Sequence, residues 1–232
     1  MNRAVLLALA TLLAAGCGGG PGPASPPEPA RPAAEKQNEP APAPKAEVPE
    51  GQTLGYVRVV SLDGNPVAGV RPIATARRNA FTEPVASGPP ADNDGRSYLY
   101  FPDDKTLFVR GWDPELHWFP NNFFQAVPGT GEVTGEMKLV MVRSAVITAT
   151  LLRPDGEPAA NENAGLMMFH PELGPWWPSD AVTGPGGEVR FAPVPAGAFL
   201  LKLKVASGGM LEIPPVPLPP GGEKDLGARV LH

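Results

Sequence analysis

From Tyr56 to the end of the chain, apolar and polar residues alternate over short runs, and proline or glycine interrupts most longer stretches. A period of two sends successive side chains to opposite faces, the pattern of a strand with one buried face, and helix signals at a period of 3.6 are almost absent. Tyr56-Val57-Arg58-Val59-Val60 predicts a first strand, and residues 146–152 predict its counterpart. Each is followed by an Asp-Gly turn, Asp63-Gly64 or Asp155-Gly156, whose glycine supplies positive φ without a steric penalty. A middle strand, a loop and a second turn at Gly95 or Gly187 come next. Residues 106–110 and 198–204 read as later strands, and 135–142 and 227–232 as closing ones.

Residues 51–232 could form one domain or two on length alone, so internal repetition decides the organisation. Asp63-Gly64-Asn65-Pro66 recurs as Asp155-Gly156-Glu157-Pro158, an offset of 155 − 63 = 92. Gly95 recurs as Gly187, Pro128-Gly129 as Pro220-Gly221, and Gly135 with Leu139 as Gly227 with Leu231, all at the same offset. Chance matches in a chain rich in glycine and proline would scatter over many offsets. The expectation is an all-β fold: two tandem seven-stranded β-sandwiches, prealbumin-like or Ig-like, over residues 51–143 and 144–232.

The order of strand, Asp-Gly-x-Pro turn, second glycine turn, Pro-x-Gly-x-aromatic and strand resembles the carboxypeptidase regulatory-like, transthyretin-like sandwich. The second copy carries it in Asp155-Gly156-Glu157-Pro158, Gly186-Gly187-Glu188-Val189-Arg190-Phe191 and Pro195-Ala196-Gly197-Ala198-Phe199. The first keeps Asp92-Asn93-Asp94-Gly95-Arg96 but has Asp104-Lys105 in place of the second copy's Ala196-Gly197. The resemblance is to an accessory domain, so it implies a fold and no catalysis; its motifs are residues that shape turns.

The N-terminus sets the expected compartment. After Arg3, residues 4–15 are dominated by Leu and Ala and stop at Gly16-Cys17-Gly18-Gly19-Gly20, shorter than the roughly 20 apolar residues a spanning helix needs. Residues 1–16 therefore read as a signal peptide. Leu13-Ala14-Ala15-Gly16-Cys17 resembles the bacterial lipobox, although its leucine falls four residues before the cysteine instead of three. The resemblance implies lipidation at Cys17, the single cysteine of the chain, and attachment to the membrane through that anchor. Gly18, where the sorting rule for inner-membrane retention would want aspartate, favours the outer membrane of the cell envelope. Residues 17–50 hold ten prolines among Ala, Gly and Glu, a composition expected to stay disordered as an extended tether.

A net charge of −5 with no basic cluster excludes a nucleic-acid footprint. No nucleophile elbow, phosphate loop or dinucleotide fingerprint is present, and His170-Pro171-Glu172 lacks the downstream cysteines a zinc deaminase would need. No catalytic residue, metal site or cofactor is expected. Asp92-Asn93-Asp94-Gly95 could offer oxygens to calcium, and Met167, Met168 and His170 soft ligands to copper, but a solvated turn and a buried strand account for them. The first strands lack the lysine, and the closing strands the asparagine, that internal isopeptide bonds in pilus sandwiches use. Four tryptophans remain: Trp112 and Trp118 in the first copy, Trp176 and Trp177 in the second, at positions not related by the offset. They either form an aromatic face for stacking on an envelope protein or a glycan, or plug a sandwich end or the joint between copies. The function expected is a non-enzymatic, membrane-anchored binding or structural module of the envelope. The alternative is an accessory carbohydrate- or peptide-binding subunit for a separate hydrolase or transporter.

Overall fold

Val57 and Val59 are fully buried while Tyr56 and Arg58 beside them stay half-exposed, so the period-two pattern becomes a strand with one dry face. A computed structural model describes residues 47–79, 82–127, 132–171 and 173–232, and among these residues it contains strands, turns and no helix. Cys17, the signal segment 1–16, nearly all of the tether and the Pro128-Gly129 turn lie outside the described residues.

The first half contains β1 (Gln52–Ser61), β2 (Arg71–Thr75), β3 (Pro84–Ser87), β4 (Arg96–Pro102), β5 (Leu107–Trp112), β6 (Trp118–Pro120) and β7 (Phe124–Ala126). β8 (Glu132–Leu152) follows, then β9 (Asn163–His170), β10 (Gly174–Val182), β11 (Glu188–Pro195), β12 (Gly197–Val205), β13 (Met210–Leu218) and β14 (Glu223–Val230). One sheet runs β4-β1-β8 and continues through β8 to β11, with β6 and β14 also paired to β8. Two four-stranded sheets, β3-β2-β5-β7 and β10-β9-β12-β13, complete the described fold. Val57, Leu99, Leu107, Val109 and Leu139 lie at the centre of one core, and Ile147, Leu151, Phe191, Leu201 and Leu203 at the centre of another. Each such side chain contributes about 1.5–3 kcal/mol by leaving water. Residues 46–232 nonetheless cluster as one compact unit.

The offset of 92 recurs in the hydrogen bonds. Val59 N–H donates to Gly95 O at 2.7 Å, and Leu151 N–H to Gly187 O at 2.9 Å. Val67 N–H donates to Val59 O and Ala159 N–H to Leu151 O; Gly64 N–H to Ser61 O and Gly156 N–H to Arg153 O. The bridge Val60↔Pro66 has its counterpart in Leu152↔Pro158. The antiparallel register is also shared, since Arg58↔Arg96 and Tyr56↔Tyr98 become Thr150↔Glu188 and Thr148↔Arg190.

Two features depart from the expectation. The closing strand of the first half and the opening strand of the second were expected to be separate, yet β8 runs through residues 143 and 144 as one strand of 21 residues. The cause is in the sequence: residues 136–152 hold no glycine or proline and are rich in β-branched side chains, so nothing ends the strand. The second departure is in the first half, where residues 118–126, equivalent by offset to all of β13, split into β6 and β7. β7 stays on β5, while β6 crosses to β8 through Trp118↔Arg143, Phe119↔Val142 and Pro120↔Met141. Asn122 holds the split open: its amide donates to Lys138 O at 3.0 Å and accepts from Val140 N–H at 2.8 Å, replacing a backbone rung on β8.

Gly95 and Gly187 have φ of +74° and +82°, and a Cβ there would lie 2.3 Å from Val59 O or 2.4 Å from Leu151 O. Gly64 also has positive φ, +82°, but faces open space. Gly95→Ala and Gly187→Ala are each expected to cost about 2 kcal/mol or more, and Gly64→Ala only about 1 kcal/mol. Guanidinium unfolding of the three variants checks this, and equal losses would remove the role given to the close backbone approach.

Candidate functional site

The four tryptophans do not come together. Trp112 ends β5, opposite Arg71 on β2, and is 37% exposed. Trp118, half-buried on β6, packs against the first core from its rim and lies under the Arg143 guanidinium, 5.1 Å from the ring centroid. Beside it is a cleft of about 340 Å³ whose walls include Asp63, Asn65 and Pro66 of the first turn, Arg143 of β8, and Pro220. The split of β6 from β7 puts Trp118 there, because it turns residue 118 onto β8 at the boundary between the halves.

Trp176 is fully buried. His170 and Phe199 meet its ring edge-on at centroid distances of 4.8 and 4.9 Å, and Phe119 does so from the first half at 6.4 Å. The ring therefore closes the second core at the joint and offers no surface for stacking. Its indole N–H has no hydrogen-bond partner among the described residues, a cost of about 1–3 kcal/mol that the surrounding aromatic packing offsets. Trp177 pairs through its backbone with Met168; its side chain lies outside the described residues.

The soft-ligand cluster is dispersed by the pleat. Met168 and His170 point to the buried face of β9, whereas Met167 points to the other face. The Nδ1 atom of His170 accepts the Leu173 N–H at 3.1 Å, which fixes the ring as part of the core. In the acidic turn, Asp92 Oδ1 accepts the N–H groups of Asp94 at 2.9 Å and Arg96 at 2.8 Å, so this carboxylate shapes the turn. Among the described residues, no three His, Cys, Asp or Glu side chains gather as metal ligands would.

Two polar features were not picked out from the sequence. Arg110 on β5 is buried, donating to Asn79 O at 2.8 Å, and burial pulls its guanidinium down to about 10. Alternation alone puts residue 110 on the solvent side; its guanidinium there meets the carbonyls of Asn79 and Thr82 from the β2–β3 loop. The second is Glu162 in the β8–β9 loop, which accepts from Ser207 N–H at 3.1 Å and from Arg153 at 2.6 Å. Hydrogen bonds from Ser207 and then Arg153 hold the carboxyl down at about 2, and the same contact raises the Arg153 guanidinium.

No family model matches the sequence, and no curated protein matches it significantly, so the resemblance to the carboxypeptidase regulatory-like domain rests on its turn motifs. Among solved structures, the chain is similar to a streptococcal ancillary pilin at 11% identity and a TM-score of 0.37. That match covers 78% of this chain and 63% of the pilin, so the chain spans less than two thirds of its length. It is also similar to the minor pilin GBS52 of Streptococcus agalactiae at 10% identity and a TM-score of 0.38, covering 78% and 96% of the two chains. The shaft pilin SpaA of Lactobacillus rhamnosus GG matches at 9% identity and a TM-score of 0.31, with 78% and 98% covered. Likenesses this distant carry no argument about assembly or function.

Trp176→Ala is expected to cost about 3–5 kcal/mol through the cavity it leaves, and Trp112→Ala less than about 1 kcal/mol. Denaturant melts of the two variants measure the difference, and equal effects would contradict the plug at the joint. For Glu162, a carboxyl lowered by folding contributes stability above its unfolded value near 4.5 that is lost as pH falls toward 2. Acid melts should show less of this loss in Glu162→Gln than in the parent; identical profiles would mean that Glu162 is not the group responsible.

Proposed function

We propose that the chain is a lipid-anchored, non-enzymatic structural or binding module of the bacterial cell envelope. In this reading the two halves, residues 51–143 and 144–232, are tandem seven-stranded sandwiches, a proline-rich tether spans residues 17–50, and Cys17 carries the anchor. Gly18 favours the outer membrane. The observation that carries the reading is β8, the strand that belongs to both halves. At the boundary a continuous strand stands where a hinge would be, and Phe119 packs against Trp176 across it. A module whose task is to hold a surface away from a membrane gains from such a joint, since a flexible linker there would blur the placement of whatever the distal half presents.

A second reading, an accessory subunit that binds carbohydrate or peptide, is favoured by the cleft beside Trp118. An aromatic ring beside amide, carboxylate and guanidinium groups is a suitable lining for a polar ligand with an apolar face.

When the full-length protein is expressed in a bacterial host with labelled palmitate, the mature form should carry the label and fractionate with membranes. Cys17→Ser should lose both. Full membrane retention of that variant would overturn the anchor.

A further inference from the structure

We propose that the outer face of the β4-β1-β8 sheet in the first half binds an anionic polysaccharide, with Arg58, Arg96 and Lys138 meeting its acidic groups and tyrosines stacking on its sugar rings. This deepens the reading of the chain as an envelope module and rests on it.

The placement follows from register. Residues directly opposed across a sheet share a face. Arg58 is opposed by Arg96 on β4 and by Lys138 on β8, so three cations stand in one row across three adjacent strands. At the usual strand spacing the row spans about 10 Å. One step along, Tyr98 and Tyr56 are opposed in the next row, and Tyr100 follows two residues after Tyr98. These are all three tyrosines of the chain. Tyr98 is 41% exposed, Arg96 and Lys138 are exposed, and Arg58, Tyr56 and Tyr100 are half-buried, while Val57, Leu99 and Met137 between them point into the core.

Like charges opposed across a sheet are destabilising, and no ion pair among the described residues engages the three cations. Glu136 ends the tyrosine row, and Asp92 and Asp94 sit on the turn before Arg96, with Asp92 already bound to backbone N–H groups. The fold does not ask for this row. At the matching register in the second half, Thr150 is flanked by Glu188 and Ala228, and the tyrosine positions become Thr148, Arg190 and Ala192. A cationic face on a chain of net charge −5 calls for an acidic partner by charge complementarity.

The aromatic residues identify which acidic partner. A lipid surface would want protruding aliphatic or tryptophan side chains, and this face presents tyrosines with polar tips and only half-buried Val140 on β8. A nucleic acid would need more cations than one row of three to release its counterions. Tyrosine bodies that stack and hydroxyls that both donate and accept suit pyranose rings, and one cation per strand suits acidic groups spaced along a sugar chain.

The test is affinity electrophoresis of the full chain through gels containing alginate, a carboxylated polysaccharide, with neutral dextran as control. Retardation by alginate alone, weakening as salt rises, is expected. The triple variant Arg58→Thr, Arg96→Glu, Lys138→Ala takes residue types from the second half, so it should melt like the parent yet bind alginate about tenfold or more weakly. If it fails to fold, Lys138→Glu at its exposed position serves in its place and should weaken binding. Tyr98→Ala should lower affinity without changing the salt dependence. No retardation of the parent, undiminished binding by folded charge variants, or tighter binding to phosphatidylglycerol vesicles or poly(dT) than to alginate would overturn the proposal. None of these outcomes depends on Cys17, so the anchor can stand while this site falls.

Discussion

Among the described residues, every sheet contact between the two halves passes through the backbone of β8. Its first part pairs with β1, its middle with β6, and its last part with β11 and β14. At about 3.3 Å per residue, 21 residues give a contour of roughly 70 Å. A strand of that length is stable only where neighbours satisfy its N–H and C=O groups on both sides, and here the neighbours change along the way while the strand does not. The two cores are thus registered to each other by a ladder of hydrogen bonds, with no linker whose conformation has to be selected.

The split of β6 from β7 makes that registration specific. Were residues 118–126 a single strand like β13, Phe119 would remain with its own half. With β6 on β8, Phe119 enters the second core and closes on Trp176. Phe119 and Trp176, which have no aromatic counterpart at the offset, meet across the two halves, whereas Trp112 stays exposed at the end of β5.

The sequence was most legible where a residue type is the only one that fits. Gly95 and Gly187 could be read because a backbone carbonyl fills the space a side chain would need. The alternation through Tyr56 to Val60 was equally plain, since one face is dry. Less legible was the continuity of β8: its cue was a lack of breakers, and short strands are the ordinary expectation. Burial of Arg110 under a loop and the capture of Glu162 by Ser207 could not be read at all, because each depends on contacts between segments far apart in the chain. For Trp176 the sequence offered both a stacking face and a plug at the joint, since tryptophan suits an interface and a core equally well, and the structure has the plug. The row formed by Arg96, Arg58 and Lys138 required the register of three strands, which a one-dimensional pattern does not contain.

The direction of the strands around β8 has a mechanical meaning. β1, the first strand, lies parallel to the front of β8, and β14, the last, lies parallel to its rear. Tension applied between the N-terminal side of β1 and the C-terminal side of β14 therefore pulls each pair along its length in shear. The hydrogen bonds of a sheared pair must yield together, whereas those of a peeled hairpin open one after another. Because β8 is the second member of one pair and the first of the other, such a pull would pass from one half to the next along a single strand.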